Sequence, residues 1–243
     1  AELVPSAVIS HRPDNVWGLP YEPVDVPLGD PAATDTDGLV ILHRGRIVFE
    51  YYANGMSADS PHILMSVTKS LLGMLASVLA ARGILDLERP VTDVIPEMSK
   101  TAYRGATIQQ LLDMRVGIAF NEDYLATSGP IIAYRKSTNW NPLAPGERPT
   151  DLRSFYRELT QSDGPHNGRF HYVSPNTDLL GWVIERAAGK RYADLMSEML
   201  WQPIGAERDA QITVDRLGAP RCAGGMSVTI RDLARVGQLI VQD

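Results

Sequence analysis

The run Ser70-Leu71-Leu72-Gly73-Met74-Leu75-Ala76-Ser77-Val78-Leu79-Ala80-Ala81 constrains this chain more than any other stretch. As a helix it is too apolar to lie on a surface, and it is too short to cross a bilayer, which needs about 20 residues. It predicts a helix buried in a globular core, with the rest of the chain arranged around it. Gly83 fits a C-terminal cap, and Pro61-His62 ahead of Ile63-Leu64-Met65 gives a turn leading into the helix start. The first turn is Ser66-Val67-Thr68-Lys69. Three residues apart on a helix, the serine hydroxyl and the lysine amine share one face, a nucleophile beside its base. Average residue usage yields about one Ser-x-x-Lys by chance in a chain of this length. Its position at the mouth of a core-anchored helix is what makes it informative.

At 243 residues, 44% hydrophobic and 21% charged, the chain can bury a real core as one large or two small domains. A net charge of −6, with no run of Lys or Arg, argues against nucleic acid or an anionic membrane as the main partner. Small molecules or peptides fit better. Cys222 is the sole cysteine, which excludes an intrachain disulfide, and it reads as a small buried filler. The N-terminus lacks a basic-then-apolar signal pattern, so the cytoplasm is favoured, with periplasm and secretion left open.

The first thirty-odd residues, rich in Pro and Asp with isolated Trp17 and Tyr21, read as an irregular arm over a domain. Leu39 to Leu42 and Ile47 to Tyr52, around His43-Arg44-Gly45-Arg46, predict a hairpin. Thr107 to Met114 predicts a capped helix ended by Gly117. Phe120 to Pro149 reads as long loops and short helices, of a length often used for binding loops or lids. Helices are expected over Asp151–Leu159, over Asn176–Ala188 ending at Gly189, over Tyr192–Leu200, and over Thr229–Val241 with Thr229 as N-cap. A lone hairpin is not a stable sheet, so further strands are required.

A second cluster, Arg169-Phe170-His171-Tyr172-Val173-Ser174-Pro175-Asn176, precedes one of these helices. Tyr172 there either presents its phenol to a site or packs its ring at the helix start; spacing alone does not choose. His166 and His171 do not have a metal-ligand spacing on regular structure. No Gly-x-Ser-x-Gly, His-Glu-x-x-His or phosphate-binding glycine loop is present.

Taken in order, several segments resemble the serine β-lactamase and penicillin-binding-protein-like superfamily, in its class C branch. They are Ser66-Val67-Thr68-Lys69, Gly83 to Val91, Thr107 to Leu112, Tyr172-Val173-Ser174, and Gly224-Gly225-Met226-Ser227 with Asp232-Leu233-Ala234-Arg235. Within that branch the chain is most similar to the 6-aminohexanoate-dimer (nylon-oligomer) hydrolases and related carboxylesterases, especially from Leu179 to Arg235. The resemblance implies an α/β (α+β), β-lactamase/transpeptidase-like fold with an antiparallel sheet flanked by helices, here mostly its first hairpin. Residues 1–62 and 177–243 would form the α/β region and 63–176 a mainly helical region with long loops.

It also implies a serine hydrolase working through an acyl-enzyme on Ser66, with Lys69 as base once its amine is neutral and Tyr172 relaying a proton. The backbone N–H of Ser66 would supply one oxyanion donor. No metal or organic cofactor is required. The family usually has Asn two residues after the tyrosine, where this chain has Ser174, which weakens the case for a β-lactam. The expected substrate is a linear amide or short-chain ester, bordered by Tyr124, Trp140 and Ser174. A β-lactamase, a D-amino-acid peptidase and a catalytically silent binding protein are the alternatives. The family's fold continues past the Asp232 helix into strands that carry a second oxyanion N–H, so the expectation is either a separate C-terminal fragment or chain that completes the sheet or a truncated protein.

Overall fold

A computed structural model describes residues 4–25 and 29–242. Four short strands form one antiparallel sheet: β1 (Ser6–Ile9), β4 (His62–Ile63), β5 (Ala210–Thr213) and β6 (Met226–Val228), in the order β1-β5-β6-β4. A hairpin, β2 (Gly38–His43) and β3 (Arg46–Tyr52), forms a separate two-stranded sheet. Between them lies an apolar cleft lined by Gly38, Met56, Leu64, Val228, Ile230 and Leu233. The helices are α1 (Val67–Ala81), α2 (Val91–Val94), α3 (Ile108–Leu112), α4 (Pro130–Ser137), α5 (Leu152–Phe155), α6 (Ser174–Ala188), α7 (Tyr192–Met196) and α8 (Ile230–Val241). None is long and apolar enough to cross a membrane among the described residues.

The expectation that the sheet is mostly the first hairpin is corrected here, as is the wholly irregular N-terminal arm. The hairpin stands apart, and the arm's Ser6–Ile9 is an edge strand registered Ile9 to Ala210. The four strands are two to four residues long, so each carries at most two periods of alternation. The burial is nonetheless regular: Ile9, Ala210, Ile212, Met226 and Val228 all turn into the core. Beyond β1 the arm does run over the domain, with Trp17 N–H donating to Gly205 O at 3.0 Å and Tyr21 bridging Ile47.

Helix α1 buries Thr68, Leu71, Leu72, Leu75, Ala76 and Leu79, the three-and-four spacing of one apolar face. It ends as expected at Gly83, whose positive φ of 69° lets the Gly83 N–H reach Ala80 O and the Ile84 N–H reach Leu79 O. Helix α6, which starts two residues earlier than expected, is buried at every position from Ser174 to Ile184 and is the central post against which α1 packs. A cluster of edge-to-face and tilted rings, Tyr103, Phe120, Tyr134, Phe155 and Tyr156, fills the helical region. Two of these phenols fasten the α6 start, Tyr103 donating to Asn176 Oδ1 at 3.0 Å and Tyr156 to Pro175 O at 3.1 Å. A capping box formed by Thr107 and Gln110 opens α3. Helix α8 begins at Thr229, whose hydroxyl accepts from Asp232 N–H, and packs on β2.

Candidate active site

Ser66 is delivered by a strand, a strained residue and a helix start in succession. β4 pairs with β6 through His62–Val228 and Ile63–Ser227, and the Leu64 N–H continues the ladder to Met226 O at 2.8 Å. Met65 then adopts a φ of 47°, in the left-handed region that unbranched L residues occupy only at a cost. The chain so turned places Ser66 at the N-cap of α1, exposed to solvent. The Ser66 hydroxyl does not cap its own helix. Its N–H, at the positive end of the α1 dipole, makes no hydrogen bond to another described backbone group.

One turn on, Lys69 brings its Nζ to 3.0 Å from Ser66 Oγ. The same amine donates to Ala223 O at 2.5 Å. Tyr172 closes the group from the other side, its hydroxyl donating to Ser66 Oγ at 2.7 Å while its ring centroid lies 5.0 Å from the lysine amine. Tyr172 is held because the loop before α6 is stitched to the 114–117 turn, with Asn167 N–H donating to Arg115 O and His171 N–H to Met114 O. The structure therefore brings together Ser66, Lys69 and Tyr172, which lie up to 106 residues apart in sequence.

The three remaining candidates are placed differently. Ser174 opens α6 with both polar groups engaged by Glu122: its N–H donates to Oε2 and its hydroxyl to Oε1, each at 2.6 Å. Its hydroxyl is thereby committed to the loop. Tyr124 has an exposed ring with its hydroxyl turned onto Glu122 Oε1 at 2.7 Å, and Arg135 lies over the ring. Loss of water at that hydroxyl, then the Glu122 carboxylate, push the phenol up to about 12, so it keeps its proton at neutral pH. Trp140 stacks 5.1 Å from the Arg221 guanidinium and borders Gly224, which in turn faces the Met65 backbone beside Ser66.

Sequence reasoning missed Glu122, Met65, Ala223 and the charged pair of Asp178 and Arg221. Glu122 meets Ser174 across 52 residues and Ala223 meets Lys69 across 154, and neither carries a motif of its own. The glycines of Gly224-Gly225 were the one available signal: a Cβ on Gly225 would stand 2.2 Å from Thr213 Oγ1, so the turn there is packed to the backbone. No group of three His, Cys, Asp or Glu side chains is placed to hold a metal ion among the described residues.

With this geometry in view, comparison with known proteins is informative. The Beta-lactamase family profile matches residues 30–243. Over 251 aligned positions the chain is 38% identical to the 6-aminohexanoate-dimer hydrolase of Paenarthrobacter ureafaciens, covering 99% of this chain and 62% of that protein. It is 30% identical over 157 residues to Esterase EstB of Burkholderia gladioli, covering 62% of this chain and 38% of that one. A solved Bacillus anthracis structure, provisionally assigned as a 6-aminohexanoate-dimer hydrolase, superposes with a TM-score of 0.87 at 26% identity, over 98% of this chain and 66% of that one. The octameric penicillin-binding protein homologue of Pyrococcus abyssi shares the fold, with a TM-score of 0.67 at 18% identity over 87% and 54% of the two chains. The chain thus spans less than two thirds of the length of these relatives.

Proposed function

This chain belongs to the Beta-lactamase family, and from that footing we propose that it hydrolyses linear amides or short-chain esters through an acyl-enzyme on Ser66. The observation that carries the reading is the convergence of Lys69 Nζ at 3.0 Å and Tyr172 Oη at 2.7 Å on one solvent-facing hydroxyl. The names of two relatives, a 6-aminohexanoate-dimer hydrolase and an esterase, support the substrate class.

In the proposed reaction a neutral Lys69 takes the Ser66 proton as Oγ attacks the substrate carbonyl. The carbonyl oxygen gathers charge beside the free Ser66 N–H at the α1 start. The Ala223 carbonyl holds the amine through this step by accepting one of its hydrogens. Collapse of the tetrahedral adduct breaks the bond to the leaving amine or alcohol, which takes a proton passed through Tyr172 from Lys69. Water then attacks the acyl-enzyme, giving up a proton to the same pair, and Oγ leaves with a proton restored. Tyr124, on the loop fastened by Glu122, and Trp140 flank the acyl or leaving-group side. Ser174 contributes through Glu122, holding that loop against α6.

The test is labelling with a fluorophosphonate followed by peptide mass spectrometry, together with a panel of aminohexanoate dimer, short p-nitrophenyl esters, D-alanyl peptides and a chromogenic β-lactam. An adduct on Ser66 with turnover of the linear amides or esters is expected. Faster turnover of the β-lactam or D-peptide would overturn the substrate assignment. Absence of both adduct and turnover would leave a binding protein.

A further inference from the structure

The base of the proposed reaction leans on a carbonyl, and what holds that carbonyl is a charge pair buried behind the site. Asp178, in the second turn of α6, has no exposed side-chain surface. Its Oδ1 accepts the Ala223 N–H at 2.6 Å. Its Oδ2 accepts Arg221 Nη1 at 2.6 Å and the Tyr134 hydroxyl at 2.5 Å. Arg221 Nη1 also contacts the Tyr134 hydroxyl, and the guanidinium is sandwiched, 4.4 Å from the Tyr134 ring centroid and 5.1 Å from that of Trp140.

One carboxylate therefore grips the 221–225 turn twice, by the side chain of Arg221 and by the backbone of Ala223. The turn is closed on itself by Gly224 and Gly225 N–H groups donating to Arg221 O. Its outward face presents the Ala223 carbonyl to Lys69 at 2.5 Å.

We propose that Asp178, together with Arg221, is a positioning residue for Lys69: it fixes the Ala223 carbonyl that keeps the amine against Ser66. The inference rests on the serine-hydrolase reading above and adds a part to it. Burying a charge pair is a poor way to gain stability, since well-packed apolar side chains in the same volume often do as well. What this pair adds is direction, since it holds two groups of one turn by hydrogen bonds of 2.6 Å that an apolar contact does not make. A displacement of about 1 Å in a reacting group is enough to cost about 100-fold in rate.

The discriminating variant is the charge-balanced double Asp178→Asn with Arg221→Gln, compared with Asp178→Asn alone, in the full-length protein. The single variant leaves an unpaired buried guanidinium and is expected to lose stability as well as rate. The double removes both charges and is expected to recover thermal stability while still labelling at Ser66 10- to 100-fold more slowly with fluorophosphonate. The loss should fall on the maximal labelling rate, with the half-saturating concentration held within about 3-fold.

Tyr134→Phe, which keeps the ring and both charges, serves as a gentler variant and is expected to slow labelling about 3-fold with the fold retained. A soluble double variant with restored stability and wild-type labelling rate overturns the proposal, as does a wild-type rate in Tyr134→Phe if the double does not fold. Wild-type protein that is not labelled at Ser66 at all would instead sink the serine-hydrolase reading, so the two failures are distinguishable.

Discussion

In the proposed reaction Lys69 serves Ser66 through its lone pair, and that makes its replacement by arginine a sharp test. Lys69→Arg preserves charge and much of the length, but a guanidinium does not deprotonate in a protein. Acylation of Ser66 is expected to fall by about 100- to 10,000-fold, the range general-base catalysis supplies, with the circular dichroism spectrum unchanged. Fluorophosphonate labelling followed by intact mass measures it, and a rate within 3-fold of wild type would remove Lys69 from the mechanism. Thr68, between the two, faces the opposite way: fully buried, its hydroxyl accepts the Met226 N–H at 3.2 Å and ties the helix start to β6. Thr68→Val keeps the shape and leaves that N–H without its acceptor, so a loss of about 1–2 kcal/mol in urea unfolding is expected. Ser66 and Lys69 were legible because helical spacing alone puts them on one face. Tyr172 was legible only in combination, since its contact to Ser66 spans 106 residues. Asp178 was not legible, because inside α6 it reads as an ordinary polar residue on a helix, and its partners Ala223 and Arg221 lie 43 to 45 residues on with no pattern linking them.

Packing between elements sets how firmly these groups are held. Helix α6 crosses the 221–225 turn at Gly181, where an added Cβ would stand 2.4 Å from Cys222 Sγ. Gly181→Ala should therefore destabilise by about 1–3 kcal/mol of overpacking despite alanine's better helix propensity. It should also slow Ser66 labelling, since the displaced turn carries Ala223. Adding Cys222→Ala removes the offending sulfur, so the two substitutions should be strongly non-additive in a double-mutant cycle; additivity would show that the contact is not what limits the turn.

On the other side, Arg231 of α8 grips Glu50 of β3 by two hydrogen bonds of 2.7 Å, and that guanidinium holds the Glu50 carboxyl below its usual 4.5. A carboxyl pKa lowered by folding stabilises above the unfolded value and ceases to do so as pH falls through the folded one. Glu50→Gln should thus cost about 1–2 kcal/mol at pH 7. The gap from wild type should close as the pH falls below the usual 4.5 and through the lowered folded value, and a pH-independent gap in thermal melts would contradict it. The hairpin itself was legible from β-rich runs around Arg44-Gly45, both of which take positive φ. The four-stranded sheet was not, because strands of two to four residues are specified by partners remote in the chain rather than by their own periodicity.

For the molecule as a unit, Cys222 offers a reporter. Its thiol is fully buried, and burial pushes its pKa well up, so both access and thiolate formation wait on opening. Alkylation of the native protein should be at least about 1,000-fold slower than of unfolded chain and should follow global unfolding as urea is raised. Fast labelling in native buffer would mean that the turn behind the site opens locally, and with it the support of Lys69.

The pairing of the first strand with the fifth has a consequence for synthesis. His11 N–H bonds Asp209 across 198 residues of sequence, and β4, which aims Ser66, has β6 as its strand partner. A ribosome adding about 5–20 residues per second takes on the order of 10–30 s to travel from Ser66 to that partner. Throughout the interval the serine and lysine have been made, but Ala223 and the strand that orients them have not. Long-range closure of this kind is slow and comes late. Until then the carbonyl that accepts from the Lys69 amine does not exist, and a translation product broken off before residue 223 lacks that hold on it.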